Sequence, residues 1–575
     1  MFENARDASP EGAFEPDHFR TIFGDRPSIK DAIALGDRAD DERVLPDESV
    51  DEGEIHWAAG ARDGVYTHMG VADDTADRIQ SLRAMIDRVA LYRRVDDLRT
   101  LYAYIVEHGV ISVADALADS FNTVPPRNPD AYARLARSLI LHAPDREPVK
   151  LGITLLGQFG NASDHGDLIT LGSHDEFTLF ALVALAQLGV DDAPWILGPK
   201  VHGWGRIHCI ECLDVPVEDA ARRRWLLTEG WRNTIMTEYT AAICGRRGGL
   251  EDALAHAFAQ TCGGLDQVDG NAGSNAEAGA TQGAATAAGN EITIDETIDA
   301  ASNILAALCR SGGPGEDFRA CQKCVMCSQR LFALVEQHPS PKLEWYISLR
   351  DIAGFARRVQ SFPPRDAGVA RDLGWTPQVC RALIRCVERI ASREAWRDRV
   401  QAALAARVSP GNEHAFRVAA DVAEDFKIDP FEARFERTSR GEDHWYWLVR
   451  THDRARFERV LNLARASINL GAIASGPSDC SGFGPAFAAH RTLDWILQEL
   501  RRWPGVGSDF IRAGLMSPVV RNRIGAARAL LALHPAGREP FLVDVAKARA
   551  LDPDEAAAEL LDKVLSGDRE VQLPD

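Results

Sequence analysis

A chain of 575 residues exceeds what one hydrophobic core organises, so several domains or an extended repeat array are expected. Hydrophobic residues make up 45% and charged residues 26%, but aromatics only 7%; with Ala, Leu and Arg abundant, that mix favours helices over sheets. The net charge of −20 excludes a polyanion as the default ligand, because nucleic-acid binding needs a clustered basic footprint.

Residues 1–75 read as an acidic, loosely ordered segment. Between Met1 and Gly60, Asp and Glu outnumber Lys and Arg by more than two to one. Runs such as Asp40-Asp41-Glu42 and Asp51-Glu52-Gly53-Glu54 fall where apolar periodicity is weakest. The alternative is an acidic arm that docks on Arg-rich helices of the same chain or on a basic partner. The N-terminus lacks the basic flank and apolar core of a signal peptide. No run reaches the roughly 18 to 20 apolar residues of a membrane span. Eleven cysteines without a dense spacing framework suit a reducing compartment. These features point to the cytoplasm, with no membrane or nucleic-acid partner.

Helical periodicity begins at Arg78 and runs to His108, with Ile79, Leu82, Met85, Ile86 and Val89 on one face. Asn128-Pro129 then supplies an N-cap and a first-turn proline for a helix reaching His142. From there the chain repeats itself. The segments 149–160, 177–189, 205–213 and 234–243 are look-alikes. Aligning Phe159, Leu188, Leu213 and Ile243 gives a period of roughly 25–30 positions, which fits one HEAT-like helical hairpin per repeat.

Residues 263–290, almost wholly Gly, Ala, Asn, Thr, Ser and acids, have too little apolar surface to offset the entropy of ordering. They read as a disordered linker between two all-α solenoid modules, 76–262 and 291–566, with a tail at 567–575. The second module carries helices near 321–337, 343–359, 376–391, 393–406, 412–424, 454–466, 487–502 and 518–534, and a closing pair at 539–550 and 554–565. Its clearest repeat starts at Ser517-Pro518 and continues through Arg523, Ala526, Ala527, Ala529, Leu530 and Leu533. This is similar to the HEAT consensus except at Asn522. Small Ala residues let neighbouring helices approach while Leu fills the gap.

Two cysteine groups could carry metal or redox chemistry. Cys321, Cys324 and Cys327 repeat at three-residue steps with Cys309 upstream, the soft ligands that zinc and iron–sulfur sites use. On a helix the triplet fans over about 120°, so a partner helix is needed to complete a site; buried structural thiols are the plainer reading. Cys209 and Cys212 sit beside His202, His208 and Glu211, with His208 and Cys212 one turn apart. Nucleophile elbows, Walker loops and dinucleotide fingerprints are missing, so no catalytic residue or cofactor site can be assigned. Arg and Trp anchor interfaces. A binding surface is therefore expected from Trp204, Arg206, Arg222, Arg223, Arg224, Trp225, Trp231, Arg232, Arg246 and Arg247, against the simpler reading of packed Trp on a solvated face. Trp445-Tyr446-Trp447 is a second candidate of the same kind.

The stretch Val201–His208, continuing through Trp225–Asn233 and Met236–Tyr239, resembles a bacterial family of HEAT-like proteins, some of whose members carry the name limonene hydroxylase. Gly374–Val379 resembles it as well. The likeness covers about 145–245 and is weaker over the C-terminal module. It implies NAD(P)H-dependent hydroxylation of a monoterpene, but the family supplies no motif that assigns catalytic residues. The function expected from the residues themselves is a non-catalytic helical-repeat scaffold for a protein or peptide; limonene hydroxylation is the alternative.

Overall fold

In the computed structural model the placed parts of the chain are residue 14 and residues 16–35, 45–48, 57–69, 76–213, 217–262, 292–310, 324–407, 409 and 411–567. The expected linker at 263–290, the acidic runs at 40–42 and 51–54, Cys321 and the tail beyond 567 lie outside them. The fold is all-α, with no strand among the described residues; Cys480 and Val519 form an isolated β-bridge.

Two compact units divide the chain between Ile390 and Ala391. That is a different place from the insertion at 263–290, and the contacts explain it. In unit 1 the helices are α1 (Pro16–Phe23), α2 (Ile29–Leu35), α3 (Ala61–Met69), α4 (Ala76–Tyr92), α5 (Val95–His108) and α6 (Ala114–Thr123). There follow α7 (Pro129–His142), α8 (Arg146–Phe159), α9 (His165–Gly172), α10 (Asp175–Gln187), α11 (Ala193–Leu197) and α12 (Gly203–Glu211). Then come α13 (Ala220–Trp225), α14 (Thr237–Arg247), α15 (Leu250–Cys262), α16 (Ile294–Arg310), α17 (Cys324–Gln337), α18 (Leu343–Val359), α19 (Pro364–Asp372) and α20 (Pro377–Ala391). Helix α16 packs on α14 and α15 from one side of the insertion and on α17 and α18 from the other. Its Ile298, Ile304, Leu305 and Leu308 are buried, so helices that precede and follow the insertion pack on one apolar element.

Packing proceeds in steps: α7 on α8, α8 on α10, α10 on α12, α12 on α14, α14 on α16 and α16 on α18. Local sequence explains many of the ends. Pro129 opens α7, whose missing N–H costs nothing in the first turn. Asn161 and Asp164 close a reciprocal capping box before α9. The single run expected over 78–108 is broken in two at Arg93, a non-glycine residue with φ 53°, which turns α4 into α5. Parts of the acidic N-terminal segment are packed. Phe14, Phe19, Ile29, Ile33 and Leu45 join the core of unit 1, and Arg26 makes a bidentate pair with Asp145 at 2.7 and 2.9 Å.

Unit 2 contains α21 (Glu394–Ala405), α22 (Glu413–Val422), α23 (Phe431–Ser439), α24 (Trp445–Val449), α25 (Arg454–Ser467) and α26 (Leu470–Ile473). It closes with α27 (Ala488–Leu500), α28 (Ser508–Leu515), α29 (Val520–Leu531), α30 (Pro535–Arg538), α31 (Leu542–Leu551) and α32 (Glu555–Ser566). Helix α29 is central, touching α27, α28 and α32. It begins at Val520, later than Ser517-Pro518 suggests. The Ser517 hydroxyl accepts from the Val519 N–H at 3.2 Å, and the Val520 N–H donates to the Cys480 carbonyl at 3.1 Å, so this turn is tied to a loop instead of to the helix.

No single helix among the described residues is long and apolar enough to cross a membrane. The pair α5 and Ile111–Thr123 is apolar enough together but bent by 99°, and both halves pack into the core of unit 1.

Candidate interaction surface and a buried charge cluster

The residues expected to form a binding surface separate by burial. Trp204 and Arg206, on α12, are only 7% and 4% exposed. Arg206 clamps backbone: its Nε donates to the Val201 carbonyl at 2.9 Å, and Nη1 donates to the carbonyls of Glu229 at 3.0 Å and Arg232 at 3.3 Å. The guanidinium also lies 5.5 Å from the Trp225 ring centroid. It thereby holds the end of a π-helical turn, Leu226–Gly230, that continues α13. A wide turn of this kind leaves carbonyls poorly paired within the helix, and Arg206 supplies the missing donor.

The others are partly committed. Arg222 pairs with Asp192 at 2.7 Å and lies 4.9 Å from the Trp195 ring centroid, while Trp195 meets Trp225 edge to face at 5.9 Å. Arg224 pairs with Glu296, and Arg247 donates to the Ile210 carbonyl at 3.1 Å. Half-buried Trp231 donates from its indole to the Leu227 carbonyl at 2.8 Å, with the Arg232 guanidinium 5.3 Å from its ring centroid. Arg223, Arg232 and Arg246 keep their side chains at the surface to differing degrees, with none of them in the core.

Two exposed residues of this region lie outside the expected binding-surface set. Met236, 43% exposed, has left-handed backbone with φ 44° and ψ 47°, and Tyr239, one turn later, is 39% exposed. A methionine reveals neither property by its identity; only the chain path does.

In unit 2 the three residues of Trp445–Trp447 diverge. Trp445 is core, whereas Trp447 is 49% exposed. Tyr446 lies edge to face with Trp447 at 5.0 Å and with Trp495 at 5.7 Å, and the Arg450 guanidinium sits 3.7 Å from its ring centroid.

Cys309, Cys324 and Cys327 are buried, on α16 and the first turn of α17. His208 is buried with its ring 6.0 Å from that of Trp204, whereas Cys212 just past α12 is exposed, so the pair does not share an environment. Among the described residues no group of three or more His, Cys, Asp or Glu side chains is arranged to hold a metal ion.

Below α3 lies a cluster that the sequence did not single out. Lys150 of α8 is 1% exposed, and its ammonium contacts Asp63 Oδ2 at 2.6 Å, Glu176 Oε1 at 2.7 Å and Glu147 Oε1 at 3.1 Å. The second oxygens are used too: Glu176 Oε2 accepts from the Gly60 N–H and Glu147 Oε2 from the Val110 N–H, each at 2.8 Å. Arg146 approaches Glu176 at 3.7 Å and binds Asp47. Burial pulls the Lys150 pKa down, but the facing carboxylates outweigh it and hold the ammonium above its ordinary range. Burial alone would raise Glu176; Lys150, Arg146 and the Gly60 N–H together hold it below the usual carboxylate range. Asp63 moves the other way, pushed up to about 6 chiefly by burial.

The chain matches no family model, no curated protein and no solved structure.

Proposed function

We propose that this chain is a HEAT-like helical-repeat scaffold. In this reading the face around Trp231, Arg232, Met236 and Tyr239 receives a protein or peptide partner. The observation that carries it is Met236. A left-handed backbone costs a non-glycine residue about 1–2 kcal/mol. Here that conformation leaves a large apolar side chain 43% exposed, one turn from an exposed tyrosine. Burial within the chain covers only part of that side chain, whereas a partner's pocket would cover the rest. The guanidiniums of Arg223, Arg232 and Arg246 suit a partner that brings carboxylates to the rim. Two features support the repeat reading: the stepwise packing from α7 to α18 and the regular spacing of look-alike segments.

A photo-crosslinking side chain at position 239 tests this in cells. A discrete crosslinked partner that is lost when Met236→Gly is introduced, and is not seen with the same group at exposed Val543, supports the reading. Equal labelling from both positions, or labelling indifferent to Met236→Gly, would overturn it.

A further inference from the structure

Helix α3 is a thin cover over α12. Among its described residues, Ala61 and Val65 make apolar contact with Trp204, Ile207 and Ile235. Gly64 is what allows it to lie on the indole: a methyl group there would stand 2.2 Å from Cε3 and 2.4 Å from Cδ2 of Trp204. The same glycine makes α3 a poor helix on its own. Among the described residues its polar ties are the Asp63–Lys150 contact and, just before the helix, the Gly60 N–H on Glu176. Were α3 to leave, Lys150 would keep Glu147 and Glu176, so no buried cation would be stranded. Asp63, by contrast, enters a site where two carboxylates already face that ammonium.

We propose that α3 is a releasable strap: it can lift off α12 without disturbing α8 and α10 beneath it, uncovering the Trp204–Ile207–Ile235 surface beside the Trp231–Met236 face. What the uncovered surface would bind rests on the scaffold reading above; the movement of the strap does not.

The balance of the strap is set by a proton on Asp63. The charged groups acting on that carboxyl are Lys150 and Glu147 of α8 and Glu176 of α10. Of the elements packed on α3, α12 carries Arg206, His208 and Glu211 and Ile111–Val113 adds no charge, while Arg62 and Tyr66 lie on its own helix. Burial pushes Asp63 up to about 6, Lys150 opposes, and Glu176 and Glu147 reinforce the rise. Released into water, the same carboxyl ionises near the ordinary value of about 3.9. The docked state therefore holds the proton more tightly. Docking strengthens as pH falls below about 7 and loosens as pH rises through 6, by about tenfold in the docking equilibrium between pH 5 and pH 7. Glu176 has the opposite sign, but it is held below its ordinary range and weakens the site only in stronger acid.

Hydrogen exchange of the whole chain, corrected for intrinsic rates at each pH, reads the strap directly. At neutral pH the segment 57–69 is expected to exchange faster than 146–159, and its protection should rise about tenfold at pH 5. Gly64→Ala should remove protection from 57–69 and leave 146–159 unchanged. Asp63→Asn should keep α3 docked and abolish the pH response. The proposal is overturned if 57–69 opens only together with 146–159, if Gly64→Ala deprotects both alike, or if Asp63→Asn leaves the pH response intact.

Discussion

Asp63 Oδ2 lies 2.6 Å from the Lys150 ammonium, both side chains nearly fully buried, so an acid from the N-terminal segment completes a charge cluster inside unit 1. Lys150 has almost no exposed surface of its own, whereas Arg146 beside it is 24% exposed.

Replacing Lys150 by Met should therefore be costly. Three carboxylates would lose their shared cation, and breaking a buried pair by removing one partner typically costs about 3–5 kcal/mol. With the ammonium gone the carboxyls would hold protons more tightly when folded than when unfolded. The loss should then shrink as pH falls from 7 towards 5, read as a rise in the denaturant midpoint. A variant equally unstable at both values would contradict this account of the cluster.

Arg523 and Asp552 hold unit 2 in the same manner. Their side chains are 0% exposed and share two contacts of 2.7 Å, while Arg523 Nη1 also donates to the carbonyls of Ser478, Ser517 and Pro518. Arg523→Met should destabilise unit 2 by about 3–5 kcal/mol. Asp552→Asn, which retains one acceptor, should cost less. Equilibrium denaturation of the two variants decides the order.

Two glycines should respond to alanine with opposite signs. At Gly205 a methyl group would stand 2.3 Å from Asp175 Oδ1 and 2.7 Å from Thr178 Oγ1, where α12 closes on α10. Overpacking of this kind costs about 1–3 kcal/mol. Gly354, inside α18, has nothing within 4 Å of the added atom. Alanine there should stabilise by about 0.5–1 kcal/mol through helix propensity. Thermal or denaturant midpoints of Gly205→Ala and Gly354→Ala should move apart; a shift in the same direction would show the helix spacing to be other than described.

Thiol reactivity should follow exposure. Burial pushes the thiols of Cys209 and Cys244 far above their ordinary range, while Cys212 is exposed. Brief alkylation of the folded protein, mapped by mass spectrometry, should mark Cys212 ahead of Cys209 and Cys244, which react only on unfolding. Early labelling of Cys244 would count against its placement in the core.

Where local rules suffice, the helices could be read from the residues. The expected segments 343–359 and 454–466 are found at Leu343–Val359 and Arg454–Ser467, because their apolar spacing and first-turn signals lie within the segments themselves. Helices α1 to α3 were not legible: they are only seven to nine residues long, too short to show a sustained apolar period, and lie in an acid-rich segment. The candidate surface divided for a similar reason. Trp and Arg mark both interfaces and cores, and nothing local distinguishes buried Arg206 from exposed Arg232, although each donates to a backbone carbonyl.

The sequence by itself determined the all-α character, most helix positions from α4 onward, and the scarcity of aromatic residues. Each follows from composition and a helical period that short segments carry alone. Tertiary structure decided the rest: the division at Ile390, the burial of Trp204 beneath α3, the exposure of Met236 and the gathering of Asp63, Glu147 and Glu176 around Lys150. Those depend on pairs far apart in the chain, and a side chain's charge state and exposure are properties of its neighbours rather than of its own position in the sequence.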